Sequence, residues 1–287
     1  MLDWLQSPSA QSIALLGTFA VVGTWECLWP RRQDVTSLAA RWFRSITLTA
    51  LGSLLVKACV PVATIAVALY AQQQHWGALN VAQLPPWAGL VLGIVALDLA
   101  TYAVHRLFHA VPLLWRLHQV HHSDLEFDCA TAIRHHPVEI LLTYVLQLVI
   151  VLALGVAPIA VVLSELLELV VSLFNHGNVM LPAPIDRILR RVVVTPDMHR
   201  VHHSVAHGES NSNYANVLAC WDRLFGTYCA QPAVAHPLMH LGIACARSPD
   251  DVSLTKLLML PFRRAATPDM PTLDSPSSPS SIVEGTT

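Results

Sequence analysis

Two five-residue blocks, His118-Gln119-Val120-His121-His122 and His199-Arg200-Val201-His202-His203, repeat one spacing of histidine. On a helix, residues three and four apart share a face, so each block turns its imidazoles toward one small volume. His105 and His109, in the run HRLFH, have the i, i+4 spacing that lets two side chains of one helix grip a metal. A lone buried histidine is usually a satisfied core residue. Eight at repeated helical spacing point instead to a metal cage, and neutral imidazole nitrogen suits iron, copper, nickel and zinc. Redox-active metals and redox-inert zinc fit the same ligands, so ligand type alone leaves the reaction open.

The elements that must carry these residues are apolar. Of 287 residues, 54% are hydrophobic and only 13% charged, and the mean hydropathy is +0.49, against about 25% charged in a soluble domain. The composition therefore predicts an all-α integral membrane bundle of about four or five apolar helices, with a helical cap carrying the histidines. A net charge of −2 gives no basic surplus for nucleic acid. Six cysteines without a CxxC pair read as small buried hydrophobes, with neither a disulfide framework nor an iron–sulfur motif. The amino terminus lacks the basic region of a cleaved signal, so the first apolar run is expected to be retained as an anchor.

Apolar runs fall at about 12–29, which ends in the aromatic and basic stop Trp29-Pro30-Arg31-Arg32, and at 45–70, interrupted by Lys57. A third, 87–104, leads into His105 without a loop. Runs from Pro137 to about Leu154 and from 159 to 174 either cross fully or form a re-entrant hairpin, and both choices return His136 and His176 to one side. Apart from Lys57, every Lys and Arg falls in 31–44, in 106–134 or after 186, while 71–86 carries no charge. By the positive-inside rule the paired histidines face the cytoplasm. The division expected is an anchor region 1–86, a catalytic domain 87–264, and a disordered Pro/Ser/Thr-rich tail 265–287.

HRLFH, HQVHH, RHHPVE, FNHGN and HRVHH, followed by NSNYANVLACWDRLFGTY, together resemble the fatty acid hydroxylase and sterol desaturase superfamily over about Asp98 to Tyr228. The resemblance implies a membrane enzyme that holds two iron ions and uses O2 to attack an unactivated position of a lipid by hydroxylation, desaturation or ether cleavage; zinc is expected to fit the same site in purified protein. It implies His105, His109, His118, His121, His122, His199, His202 and His203 as core ligands, with His176 and His136 as further ones. His135, His207, His236 and His240 are expected to be solvated or supporting histidines. Carboxylates usually orient ligating imidazoles through the second ring nitrogen; Asp98, two turns before His105 on one face, is the first candidate, with Asp124, Asp128, Glu139, Asp197 and Asp222 behind it. Tyr102, Asn213 and Tyr214 are expected to hydrogen-bond at the site, and Asp98, Tyr102, Asn213 and Asp222 form the expected catalytic set. Glu165 and Glu168 either line a substrate passage or face other helices.

No flavin, nicotinamide, haem or iron–sulfur motif is present, so the electrons are expected from an external ferredoxin or cytochrome with its reductase; Arg187, Arg190 and Arg191 are either its docking patch or a solvated positive-inside flank. The competing class is a histidine-rich membrane metal transporter or metal-binding protein. A transporter should place its ligands near the bilayer midplane, whereas these gather at one face. A bis-histidine haem protein would leave the adjacent pairs His121-His122 and His202-His203 superfluous.

Overall fold

A computed structural model describes residues 8–33, 36–82 and 84–263; the expected tail at 265–287 lies outside the described residues. The long helices are α1 (Pro8–Leu28), α2 (Leu38–Cys59), α3 (Thr64–Gln73), α4 (Pro86–Ala110), α5 (Pro112–His122), α6 (Pro137–Leu154) and α7 (Pro158–Asn175). Beyond them lie α8 (Pro196–His202), α9 (Cys220–Leu224) and α10 (Leu254–Met259), joined by short turns. Among the described residues there are no strands, only isolated bridges such as Pro30 with Val179. Five segments are long and apolar enough to cross a membrane: 10–28, 38–81, 86–110, 137–154 and 158–175.

Local chemistry explains most boundaries. Proline opens α4, α5, α6, α7 and α8, where its missing N–H costs nothing. The apolar run expected to be continuous over 45–70 is broken after Cys59, because Pro61 cannot continue the ladder and biases Val60 to extended backbone. Gly155 ends α6 at φ 65° and sits so close to Trp76 O that a Cβ would lie 2.4 Å from it. That turn makes α6 and α7 an antiparallel hairpin whose tip packs on Gly93 of α4 through Val156 and Ala160. At the other end of the bundle, Gly52 lets α2 approach Ile140 of α6 at a distance no Cβ would permit.

The amino-terminal helices are built into the same unit as the histidines. Glu26 of α1 accepts the backbone N–H of Cys129 and of Asn178 at 3.1 and 3.0 Å. Arg31 holds both oxygens of Asp197 at 3.1 Å, and Arg32 reaches the carbonyls of His236 and Met239. The basic stop after α1 is thus a latch onto the start of α8. Arg41 of α2, fully buried, donates to Asp128 at 2.9 Å, and Asp128 in turn caps the 3-10 turn Cys129–Ile133. α10 turns Leu257 into a core with Leu48, Trp115 and Val120. All six cysteines are free, as expected, but only Cys129 is buried; Cys27, Cys59, Cys220 and Cys245 are exposed and Cys229 lies between.

Replacing Arg41 by Ala leaves the Asp128 carboxylate buried without its cation, a loss of about 3–5 kcal/mol when one partner of a buried pair is removed. Denaturant unfolding in detergent micelles should show that drop. A change within experimental error would mean that the Arg41–Asp128 pair does not hold α2 to the cap.

Candidate metal centre

α4, α5, α8 and the end of α7 converge at one end of the bundle and bring nine imidazoles together in two adjoining sets. His105, His109, His118, His122 and His202 form one; His121, His176, His199 and His203 form the other, and in each set the ligand atoms lie within 4.8 Å of one another. The two HxxHH blocks divide in a crossed pattern. The i, i+4 pair of the first block, His118 and His122, joins one set and the intervening His121 the other; in the second block His199 and His203 go with His121, and His202 crosses back. The His122 and His203 rings stack at 4.5 Å where the sets meet.

Tautomers follow from what holds the far side of each ring. His105 Nδ1 lies 2.7 Å from Tyr214 O, and His202 Nδ1 lies 2.7 Å from Ser212 O. A carbonyl accepts only, so both rings donate from Nδ1 and both Nε2 atoms carry lone pairs. Those two Nε2 atoms stand 3.0 Å apart. Two lone pairs facing at that distance repel unless a cation lies between or beside them. A proton is a poor candidate, because burial holds His202 down to about 3 against the opposing pull of the Ser212 carbonyl. His176 is similarly tied through Nδ1 to Ser172 O at 2.8 Å, and burial brings it to about 3 as well; its Nε2 faces those of His121 and His199 at 3.3 and 3.1 Å. His121, His122, His199 and His203 are pushed well below the ordinary histidine value by burial and by each other. Buried nitrogens of His118, His121, His122, His199 and His203 have no hydrogen-bond partner. Neutral, desolvated nitrogen donors left over in this number fit divalent metal.

Around this core, Glu139 at the start of α6 takes the Nδ1 proton of His118 at 2.6 Å and contacts His135 Nδ1 at 3.0 Å. Among the carboxylates expected to orient imidazoles, it alone among the described residues bonds directly to a ring of the two sets. Asp98 instead accepts the Trp221 indole N–H at 2.7 Å and the Leu218 N–H, tying α9 to α4. Asp222 accepts the backbone N–H of Tyr214 and Ala215, and Thr227 bridges it to the Tyr102 hydroxyl. Burial pushes Asp222 up to about 6. Asn213, at φ 50°, donates to the carbonyls of Met198 and Cys229. Tyr102, Asn213 and Asp222 therefore set the loop whose Tyr214 carbonyl orients His105, and act at one remove from the rings. Asp124 and Asp128 fold the turn after α5 through Thr131, Arg134 and Arg41. Asp197 serves Arg31 and Arg200.

His136, expected among the ligands, stands outside both sets. Its Nδ1 accepts the Val138 N–H as the cap of α6, and its Nε2 is 3.2 Å from Leu258 O, so neither nitrogen is free. Its neighbour His135, expected to be peripheral, stacks on His121 at 4.4 Å with planes 6° apart; burial opposes its protonation, but Glu139 outweighs that and raises it. Glu139, four residues on, was the available signal for His135. His207 and His240 are exposed. His236 is buried beside Asp197 at 3.6 Å. Of the three arginines expected to dock a donor, Arg190 is committed to Asp186 and Ala230 O, while Arg187 and Arg191 are exposed.

A cavity of about 240 Å³ runs from His105, His118, His121, His176 and His199 into the space between α4, α6 and α7. Leu97, Val104, Phe108, Leu146 and Ile150 give it apolar walls; Thr143, Gln147, Ser164 and Glu168 give it polar ones.

Residues 90–227 match the model of the family described as fatty acid hydroxylase. The chain is 32% identical over 232 residues to the ornithine lipid hydroxylase OlsE of Rhizobium tropici, covering 77% of this chain and 67% of that protein. It is 32% identical over 156 residues to the alkylglycerol monooxygenase of Homo sapiens, covering 54% of this chain but only 33% of that one. A cholesterol 25-hydroxylase-like protein of Danio rerio is 30% identical over 135 residues, 47% of this chain and 53% of that protein. No solved structure matches.

The lowered histidines fix a pH dependence. His176 and His202 bind protons near 6.5 when unfolded but only near 3 when folded, so the unfolded state holds more protons in between and stability falls as pH drops through that window. Chelator-treated protein should lose thermal stability steadily below about pH 6.5, and metal-loaded protein should resist it. A metal-free midpoint that stays level down to about pH 4 would contradict the protonation states assigned here.

Proposed function

The chain belongs to the fatty acid hydroxylase family, and from that premise we propose that it is a di-iron monooxygenase that hydroxylates a membrane lipid with O2. The observation that carries the reading is the division of nine histidines into two adjoining sets that open together onto one cavity among membrane-spanning helices. His105, His109, His118, His122 and His202 would hold one ion, and His121, His176, His199 and His203 the other. Bound iron supplies the electron chemistry toward dioxygen that no side chain of this chain can perform.

The protein's own residues do the positioning. The carbonyls of Tyr214, Ser212 and Ser172 hold the Nδ1 protons of His105, His202 and His176, which leaves each Nε2 lone pair aimed inward. Glu139 does the same for His118 and strengthens the ring as a donor. Phe108, Val104 and Leu97 keep the cavity next to these rings dry and hold an alkyl segment against them. Hydroxylation is favoured over desaturation by the names of the relatives, which are hydroxylases and monooxygenases.

In this reading the protein is integral to the membrane, with residues 1–86 as its anchoring region and 87–264 as the catalytic domain, and with the histidines toward the cytoplasm as the distribution of basic residues predicts. Electrons come from an external ferredoxin or cytochrome with its reductase; Arg187 and Arg191 are the exposed basic residues available to dock it.

Growth under isotopically labelled O2 tests the reaction. Lipids from membranes containing the parent chain should carry one labelled oxygen per product, and those from a His121→Ala, His202→Ala variant should carry none above background. Product that carries oxygen from water, or label undiminished in the variant, would sink the assignment.

A further inference from the structure

The cavity beside the histidines has one wall that an all-hydrocarbon ligand does not use. Glu168 lies on α7 two turns before His176, and its half-buried side chain borders both this cavity and an adjoining one under the 3-10 turn. Among the described residues no hydrogen bond or ion pair reaches its carboxylate, whereas the other two acidic groups that line these cavities are engaged. Glu139 is taken by His118 and His135, and Glu165 accepts from Thr64 at 2.7 Å and from Gln147 at 3.1 Å. No lysine or arginine lines the cavity, and the only ionisable nitrogens on it are histidines. His135 is within electrostatic range of Glu168, but its Nδ1 is already turned to Glu139.

An ionisable side chain in a membrane-spanning helix is costly unless it finds a partner, and such residues mark ligand paths for that reason. Among the described residues lining the cavity there is no lysine or arginine to serve as that partner, and His135 is bound to Glu139. Ser164, Ser172, Thr143 and Gln147 also line the cavity, and none of them is hydrogen-bonded to the Glu168 carboxylate. A ligand group that complements this wall carries positive charge and several N–H donors. A neutral ester or hydrocarbon would bury the carboxylate without adding a charged partner for it.

We propose that Glu168 is a specificity-determining residue that pairs with a positively charged amine on the lipid held in the cavity, so that the site selects amine-bearing lipids over chain-matched neutral ones. The proposal rests on the reading of this cavity as the lipid site. A charge-assisted hydrogen bond in a dry site is the kind of contact whose loss discriminates strongly, because the substitute leaves a buried polar group unpaired.

The test is a binding titration of the full-length protein in detergent micelles with hexadecylamine, hexadecanol and N-acetylhexadecylamine, followed by native mass spectrometry. The amine should bind at least about tenfold tighter than either neutral probe. That preference should disappear in Glu168→Gln, with iron content and helical circular dichroism unchanged. Should the Gln variant fail to fold, Glu168→Ala answers the same question, and the parent comparison is decisive alone. Equal binding of all three probes by the parent, or a preference retained in a folded Glu168 variant, overturns the proposal. Because the readout needs no turnover, a chain that prefers the amine but oxidises no lipid would refute the proposed reaction and leave this inference standing. A chain that oxidises lipids without that preference would do the reverse.

Discussion

The arrangement depends on an electrostatic conflict between His105 and His202. Each ring spends its only proton on a backbone carbonyl, Tyr214 O for one and Ser212 O for the other, and the two bare Nε2 atoms then face each other at 3.0 Å. Among the described residues no side chain places a cation between them. The same logic extends to His176, whose Nδ1 proton is tied to its own helix and whose Nε2 confronts two further imidazoles. A site that is unfavourable without a cation and favourable with one couples metal binding to folding.

Holding such a site in register requires support at a distance, and the chain draws on both of its ends for it. α1 and α2 contribute Glu26, Arg31, Arg32 and Arg41, each bonded to the segments around Asp128, Asn178, Asp197 or Met239 that lie next to a ligand-bearing turn. On the opposite side Asp98, Asp222, Tyr102 and Asn213 pack the stretch 213–229 against α4. None of these groups bonds to an imidazole of the two sets; Asp222 and Asn213 hold the backbone beside the Tyr214 and Ser212 carbonyls that decide the tautomers. Carboxylates buried in this way serve as caps for backbone N–H groups, which is where a buried acid is best satisfied.

Much of this was legible in the sequence because helical spacing is a strong constraint. HRLFH, HQVHH and HRVHH predict which imidazoles share a face, and apolar length predicts five spans of which α4, α6 and α7 begin at prolines visible in the chain. The crossed sharing of each HxxHH block between two sets was not legible, since it depends on the angle at which α5 and α8 meet. His136 and His135 show the same limit: one residue's difference in backbone direction at the start of α6 makes the first a helix cap and turns the second onto His121. Asp98 sits on the right face at the right spacing, but the side chain is claimed by Trp221, 123 residues away, a contact no local pattern encodes. The break of the second apolar run at Pro61 was readable from proline chemistry alone.

The central claim is that two ions are needed to resolve the facing lone pairs of the two histidine sets. Metal analysis of the purified, folded chain measures this directly, as moles of transition metal bound per mole of protein. The account predicts close to two, one for each set. A folded, monodisperse chain that binds no metal, or that saturates at one ion, would contradict it.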